Sequence, residues 1–320
     1  MIRFFYESVV KAKEKHRFYW KLLYKGNKLI LNLLYPLIQR NNRKMGVAED
    51  GVPRESLVVS LTTYPGRIHQ VWKTISSLLN QTLKPKKVIL WLAEEQFPDH
   101  KLPESVRRLT KRGLEIRYCE DLKSHKKYFE AMKQFPEAII VTADDDILYP
   151  ENHLEKLWKT HLESPQAVIC QWSHRIAFDE GGHVCPYNDW PDNGREIPSF
   201  ATLAVGCGGI LYPQKALAGE AFETDKLREY ALAADDLWLK CMEILAGVKT
   251  VNCNPKKDIL IYYNVLSTRK SGLWVSNIGH QKNNDRVWKT LMEKYPLALQ
   301  CLQRESGKSS VQQNIKTSEH

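Results

Sequence analysis

A short apolar run that ends in three consecutive carboxylates constrains the fold of this 320-residue chain more than any other feature. Ile139, Ile140, Val141, Thr142 and Ala143 lead directly into Asp144, Asp145 and Asp146. An apolar run of this length between prolines predicts a buried strand. Three neighbouring carboxylates repel one another and are costly to desolvate, and a bound divalent cation relieves both effects. Oxygen ligands suit Mg²⁺ or Mn²⁺, so the pattern predicts a metal-diphosphate site at the end of a strand.

The alternative is an acidic turn exposed to solvent, because acidic residues are common in turns. However, no glycine accompanies these acids, and Ile147 and Leu148 resume the apolar pattern at once. A backbone held between two apolar segments favours a functional site over a solvated turn.

Strand and helix patterns alternate from Ser56 to about Asn252, which predicts an α/β fold. The predicted strands of the first half are Leu57–Leu61, Lys87–Leu92, Leu114–Tyr118 and Ala138–Thr142. One helix is predicted around Val71–Leu79, and a second carries Lys126 to Met132 with Ser124 as its N-cap.

This order is typical of one nucleotide-binding half of a doubly wound sheet, in which ligands bind beyond the carboxyl ends of the strands. Polar residues are predicted to converge there: Thr63, Arg67, Glu94, Asp121, Lys127 and Asp144 to Asp146. The sequence contains neither Gly-x-Gly-x-x-Gly nor Gly-x-x-x-x-Gly-Lys-Ser/Thr, which argues against ordinary dinucleotide and P-loop sites.

The second half is less regular and supplies candidate acceptor and catalytic residues. Residues 180–195 form a loop rich in Gly, Pro, Asn, Asp and Trp that is expected to line a substrate site, with Trp190 as a candidate. Gly208 and Gly209 allow either close approach of a ligand or tight packing. Asp235 and Asp236 open a predicted helix, where they either stabilise the helix dipole or provide a general base. His280 precedes another predicted helix.

The amino-terminal arm holds almost all of the net charge. Residues 1–45 contain eleven lysines and arginines against two glutamates, a net charge of +9 out of +10 for the whole chain. The arm is also rich in leucine and aromatic residues, and its longest apolar stretch is too short to span a bilayer. It is predicted to contact an anionic membrane surface or to pack as a helix on the body or on a second subunit. No recognition module accompanies the charge, so nucleic-acid binding is not expected.

The cysteines predict a reducing compartment. Seven cysteines occur, none in a Cys-x-x-Cys pair. An odd number of scattered thiols in apolar runs is typical of a cytoplasmic protein without a disulfide or zinc framework. With the basic arm, this predicts a cytoplasmic protein at the inner face of the membrane.

The order of these motifs resembles that of GT-A fold glycosyltransferases. The segments that carry the resemblance are Ser60–Arg67, Asp144–Asp146, Gly206–Gly209, Asp235–Asp236 and His280. The motifs are most similar to those of bacterial surface-polysaccharide enzymes of the family 2 type, with some likeness to exostosin-like transferases. The resemblance implies a mixed central sheet flanked by helices in residues 53–302. A basic helical arm and linker, residues 1–52, would precede this domain, and a polar, disordered tail, residues 303–320, would follow it.

The resemblance also implies a role for each matching residue. Asp146 would bind Mn²⁺ or Mg²⁺ with Asp144 and His280. Thr63, Tyr64 and Arg67 match the first nucleotide-binding loop, and Glu94 and Asp121 lie where acids recognise the base. Lys126 or Lys127 would meet the diphosphate, beside Asp144 and Asp145. Asp235 and Asp236 match the acceptor-site acid pair, with Asp236 as the base, and Gly208, Gly209 and Trp190 are assigned to the acceptor.

The expected activity is metal-dependent transfer of a sugar from a UDP-sugar or another nucleotide-diphosphate donor. Inversion of the anomeric configuration is favoured, and the likeness to exostosin-like transferases leaves retention as the alternative. The expected acceptor is a saccharide or lipid-linked glycan in surface polysaccharide or lipopolysaccharide synthesis. The chain lacks a Gln-x-x-Arg-Trp stretch, which argues against a processive synthase, and its Thr-Thr-Tyr-Pro-Gly-Arg loop departs from the commoner Pro-Thr-Tyr-Asn. The alternatives are a sugar nucleotidyltransferase and a non-catalytic, membrane-associated carbohydrate-binding protein.

Overall fold

The computed structural model describes residues 1–15, 18–39, 41–49, 57–194, 197–254, 263–266 and 283–307. The described α-helices are α1 (Ile2–Glu14), α2 (Trp20–Gln39), α3 (Val71–Leu78), α4 (Glu104–Arg107), α5 (Lys126–Gln134), α6 (His153–Glu163), α7 (Thr224–Tyr230), α8 (Asp235–Leu245), α9 (Asn283–Lys294) and α10 (Pro296–Glu305). The described strands are β1 (Leu57–Thr62), β2 (Lys87–Ala93), β3 (Leu114–Cys119), β4 (Ile139–Ala143), β5 (Ile147–Leu148), β6 (Val168–Cys170), β7 (Ser173–Arg175), β8 (Asp192–Asn193), β9 (Thr202–Ala204), β10 (Ile210–Tyr212), β11 (Thr250–Asn252) and β12 (Tyr263–Asn264).

Seven of these strands form a central mixed sheet in the order β11-β6-β10-β4-β1-β2-β3. β1, β2, β3 and β4 are parallel, whereas β10 pairs antiparallel with both β4 and β6. β11 is parallel to β6 at the edge. The predicted fold class, an α/β fold with a mixed central sheet flanked by helices and a helical amino-terminal arm, is confirmed.

Helices cover both faces of the sheet because successive residues of its strands point to opposite sides. Val59 packs in one apolar cluster with Ile75 of α3 and Leu157 of α6. Its neighbour Val58 packs in another with Ala131 of α5. Strands buried on both faces read as continuous apolar runs, which is why the sequence pattern predicts them within one or two residues.

The start of α5 differs from the prediction. Ser124 lies inside a short 3₁₀ helix, Lys123–His125, and α5 begins at Lys126 without a side-chain capping bond. The predicted N-cap at Ser124 is therefore wrong. The 3₁₀ turn supplies the first hydrogen-bonded turn of the helix, so a capping side chain is not required.

The amino-terminal arm packs on the body through one face. Tyr6, Leu31 and Tyr35 lie in a cluster with Leu148 of β5 and Tyr263 of β12. The ammonium group of Met1 is 2.6 Å from Glu151 Oε1. None of the described helices combines the length and the apolar character needed to cross a bilayer.

A buried histidine at the start of α6 makes stability depend on pH. Burial and the charge of Lys156 lower the pKa of His153 to about 3, although its Nδ1 lies 2.8 Å from Gln171 Nε2. The unfolded chain takes up a proton near pH 6.5 that the folded chain excludes, so acid favours unfolding. The stability of the wild type should therefore fall by about 1.4 kcal/mol per pH unit from this group alone, from pH 6.5 down to about 3.

His153→Gln removes the titration. Urea unfolding of both proteins from pH 7.5 to 4.5 should show that the free energy of unfolding falls more steeply with acid for the wild type than for the variant, because only the wild type carries this histidine. Parallel curves would show that His153 titrates alike in the folded and unfolded chains.

Candidate active site

The carboxyl ends of four parallel strands bring the first group of predicted residues to one edge of the sheet. Thr63, Glu94 and Asp144 directly follow β1, β2 and β4, and Asp121 follows β3 after one residue. β1 is hydrogen-bonded to both β2 and β4, so the residues that follow these strands are close neighbours. This edge is where doubly wound sheets bind ligands.

Asp145 ties the acidic turn to the loop after β1. Both of its carboxylate oxygens are occupied: Thr63 Oγ1 donates to one and Arg67 Nη1 to the other. Thr74 Oγ1 donates to the Asp145 carbonyl at 2.9 Å. Arg67 also reaches Asp146, with Nη2 3.3 Å from Oδ2. Asp145 therefore positions Thr63 and Arg67, whereas Asp144 and Asp146 are the more exposed carboxylates of the turn.

Lys127 joins the acidic turn to α8. Its Nζ lies 2.7 Å from Asp144 Oδ1 and 3.0 Å from Asp235 Oδ2, and its side chain is only 5% exposed. The Lys127 carbonyl accepts a hydrogen bond from Ser60 Oγ of β1, which fixes the first turn of α5 against the sheet. Burial would lower the pKa of Lys127, but Asp144, Asp235 and Asp236 raise it well above its usual value, so it stays charged.

Asp236 lies against the glycine loop before β10. Its Oδ2 accepts a hydrogen bond from the Gly206 amide at 3.1 Å. Its buried Oδ1 has no hydrogen-bond partner among the residues that the structure describes. A buried acceptor without a partner is costly, so this oxygen suits a donor that the described part of the chain does not provide.

The site has a surplus of buried negative charge. Five aspartates, at 144, 145, 146, 235 and 236, face the cations Arg67 and Lys127. Burial, together with Asp145 and Asp144, raises the pKa of Asp146 to about 7 despite Arg67. Burial and the charge of Asp235 also raise the pKa of Asp236, whereas Lys127 keeps the pKa of Asp235 low against burial. A further cation would relieve this repulsion.

The donor set fits a hard divalent cation. Asp144 and Asp146 offer carboxylate oxygens with side chains 32% and 15% exposed. Within the described ranges, no three His, Cys, Asp or Glu side chains form a ready-made metal cluster. Mg²⁺ usually takes one or two protein carboxylates and completes its shell with water and substrate phosphates, which these two acids can support. His280, the third predicted ligand, lies outside the described residues.

A second polar group lies beside the first. Lys126 Nζ is 2.7 Å from Asp121 Oδ1, and Gln96 Nε2 donates to Asp121 Oδ2 at 2.8 Å. Although burial opposes it, hydrogen bonds from Lys126 and Lys123 hold the pKa of Asp121 well below its usual range. Asp121 is therefore an ionised acceptor that can recognise donor groups of a ligand.

Three further predicted residues differ in how they relate to this cluster. Glu94 is 56% exposed and its Oε1 lies 2.7 Å from His100 Nε2. Arg67 lies over the ring of Tyr64 at 5.8 Å. Trp190 is buried against Tyr187 and Trp288, away from solvent.

Tight packing accounts for the two glycines assigned to the acceptor. A Cβ at Gly208 would lie 2.8 Å from the Trp172 amide nitrogen. Gly209 has a φ of +75°, and its Cβ would lie 2.5 Å from the His153 ring. The acceptor roles of Gly208, Gly209 and Trp190 remain predictions.

The sequence analysis did not assign Gly206 and Tyr149 to the site. The Asp144 amide donates to the Tyr149 hydroxyl at 3.0 Å, which fixes the start of the acidic turn. A Cβ on Gly206 would lie 3.0 Å from Asp236 Oδ1, 3.2 Å from Lys127 Nζ and 3.4 Å from Asp144 Oδ1. The Gly-Cys-Gly-Gly run was the available signal for Gly206, but only the fold shows which of its glycines faces the acids.

Gly206→Ala is therefore expected to lower kcat/KM about tenfold, because the added methyl group displaces Asp236 and Lys127 by a few tenths of an ångström. Gly219→Ala is the matched control, since a Cβ there meets nothing within 4 Å. Steady-state kinetics of the two variants tests this, and equal activities would contradict the placement of Gly206.

Solved structures with similar chain traces share little sequence with this chain. A mannosyltransferase from Pyrobaculum calidifontis in complex with GDP-Man and Mn²⁺ is 12% identical with a TM-score of 0.45, covering 100% of this chain and 88% of the other. HddC from Yersinia pseudotuberculosis is 14% identical with a TM-score of 0.32, over 51% and 78%. A CMP:2-keto-3-deoxy-manno-octonic acid synthetase complexed with CTP is 12% identical with a TM-score of 0.36, over 61% and 87%. No family model and no curated protein matches the sequence.

Proposed function

We propose that this chain is a glycosyltransferase that moves a sugar from a nucleotide-diphosphate donor to a hydroxyl group of a saccharide or lipid-linked glycan. The observation that carries the proposal is the cluster of five buried and half-buried aspartates around Lys127 and Arg67 at the carboxyl edge of the sheet. Such a cluster suits a divalent cation with a diphosphate, and Asp236, the second acid of the α8 pair, is the proposed group that activates the acceptor.

In this proposal each side chain has a distinct task. Asp144 and Asp146 would hold Mn²⁺ or Mg²⁺, which when bound stabilises the negative charge of the leaving diphosphate. Lys127 is charged and buried, so it can stabilise the same developing charge through a hydrogen bond. Asp121 and Lys126 form the neighbouring polar group that would contact the nucleoside, beside Thr63 and Arg67.

Asp236 is the proposed general base. An alcohol is a poor nucleophile at neutral pH, and a carboxylate with a raised proton affinity is suited to take its proton as it attacks the anomeric carbon. Attack from the side opposite the leaving diphosphate would invert the anomeric configuration. Asp235 would hold Lys127, and its negative charge would help to keep the pKa of Asp236 raised.

The finer assignments rest on the order of the sequence motifs. The resemblance to surface-polysaccharide enzymes supports a UDP-sugar and an acceptor in polysaccharide or lipopolysaccharide synthesis. The basic arm and the scattered cysteines support a place at the inner face of the cytoplasmic membrane. No residue of the described site selects uracil over other bases, so the donor is a matter for experiment.

A panel of nucleotide sugars incubated with the full chain and Mn²⁺ tests the proposal. We expect one donor to be hydrolysed slowly without acceptor, with release of a nucleoside diphosphate that EDTA prevents. Release of pyrophosphate from a nucleoside triphosphate and a sugar phosphate would instead identify a nucleotidyltransferase. Failure to bind or turn over any donor would leave a carbohydrate-binding protein and overturn the proposed activity.

A further inference from the structure

The inner face of α2 is fixed to the body by polar contacts. Asn32 Nδ2 donates to the Asn264 carbonyl at 3.1 Å, and the Leu266 amide donates to Asn32 Oδ1 at 2.8 Å. Asn27 and Tyr35 are also buried on this face. These contacts set the rotation of α2 about its axis, so its opposite face is held outward.

The outward face of α2 is a stripe of exposed leucines and isoleucines. Residues spaced by three, four and seven positions lie on one side of a helix. Leu22 is 74% exposed, Leu33 60% and Leu37 69%. The other large apolar side chains exposed on the same helix are Leu29, Ile30, Leu34 and Ile38. Single exposed apolar residues are ordinary, but a contiguous stripe of seven marks a docking surface.

Positive charge flanks the stripe at both ends. Lys21 and Lys25 are exposed on the first turns of α2, and Arg43 and Lys44 are exposed shortly after its end. Over residues 1–45 the balance is eleven basic residues against two acidic ones. A second copy of this chain would bring the same strongly positive surface against the first, and like charges repel. An anionic lipid headgroup layer matches both the charge and the apolar stripe.

We propose that α2 lies in the plane of an anionic lipid surface, with the stripe from Leu22 to Ile38 inserted below the headgroups. The described part of this helix does not qualify as a membrane span, so it would dock on the surface rather than cross it.

The docking helix connects directly to the acidic turn. Asn264, which α2 holds, belongs to β12, and β12 pairs with β5 immediately after Asp146. The Val265 amide donates to the Asp146 carbonyl at 2.7 Å. A lipid surface that binds α2 therefore holds the acid cluster at a fixed distance from the headgroups. If the proposed function is correct, on which this last step rests, the acceptor is a lipid-linked glycan presented at that surface.

Flotation of the full chain with vesicles of phosphatidylcholine, with and without phosphatidylglycerol, tests the docking surface. We expect binding to the anionic vesicles, and at least a tenfold lower bound-to-free ratio for the triple variant Leu29→Ser, Leu33→Ser, Leu37→Ser. The matched control is Leu162→Ser with Leu297→Ser, two leucines on the body that are 65% and 64% exposed. This control should bind as the wild type does.

A charge variant separates lipid from protein partners. Lys21→Glu with Lys25→Glu should weaken vesicle binding about fivefold for each positive charge lost. The proposal would be overturned in favour of a second copy by two results together: the wild type does not bind vesicles, and it sediments as a dimer whereas the triple leucine variant sediments as a monomer. Equal binding to neutral vesicles would overturn the electrostatic part. Vesicle binding needs no donor sugar, so its outcome is independent of the transferase assay.

Discussion

Asp236→Asn is expected to lower the rate of sugar transfer about a thousandfold while donor affinity stays within about twofold, as for loss of a general base. Asparagine has nearly the same shape, and its side-chain oxygen can still accept the Gly206 amide hydrogen bond, seen at 3.1 Å in the wild type. Removing the charge also relieves repulsion with Asp235, so the variant should fold normally. Only the capacity to take a proton is lost.

The measurement is kcat with a saccharide acceptor, together with donor titration in the presence of Mn²⁺. Asp225→Asn is the matched control. Both residues are acids in the first turn of a helix, but Asp225 of α7 is exposed and lies outside the site. If Asp236 served only the helix dipole, the two variants would show similar small effects on stability and none on rate. Full activity of Asp236→Asn would refute its role as base.

Lys127→Met is expected to cost about 3–5 kcal/mol of stability and to abolish donor binding, because it leaves buried carboxylates without their cation. Lys127 is the buried cation that contacts both Asp144 and Asp235. Methionine fills the same volume, so the loss would report charge rather than packing. Urea unfolding measures the stability, and donor titration measures the affinity.

Two further variants make this result interpretable. Lys126→Met removes a neighbouring buried lysine that pairs with Asp121. Asp121 retains a second ion pair, with Lys123 Nζ 3.0 Å from its Oδ2, so this variant should lose less stability than Lys127→Met. Lys127→Arg keeps the charge but replaces a compact ammonium group with a larger, planar guanidinium group. This variant should fold, and it should bind the donor more weakly than the wild type does. A Lys127→Met protein as stable as the wild type would contradict the charge balance described for the site.

The first half of the fold was predictable because β1, β2 and β4 are mostly apolar runs and β3 alternates apolar and charged residues. The predicted Leu57–Leu61 and the observed Leu57–Thr62 differ by one residue. The polar residues at the ends of these strands could be placed on one edge from topology alone. Short strands such as β7 and β8 could not be predicted, since two or three residues carry no periodicity.

Contacts between distant residues could not be predicted from local patterns. Lys127 and Asp235 are far apart in sequence, yet Lys127 Nζ lies 3.0 Å from Asp235 Oδ2, and the Gly206 amide, just before β10, donates to Asp236 at the start of α8. The inner face of the arm could not be predicted either, because Asn27 and Asn32 are polar residues on the buried face of α2 and only their contacts with β12 explain them. The order of the motifs predicted which aspartates belong to the site, whereas their hydrogen-bond and ion-pair partners are given only by the fold.

The central claim is that Asp144 and Asp146 hold a divalent cation together with the diphosphate of a nucleotide. Anomalous diffraction from crystals grown with Mn²⁺ and a nucleoside diphosphate tests it most directly. The account predicts a manganese peak in contact with both carboxylates, with phosphate oxygens completing the coordination and Lys127 beside them. Crystals in which the nucleotide binds elsewhere, and in which Asp144 and Asp146 keep only Lys127 and Arg67 as partners, would contradict it.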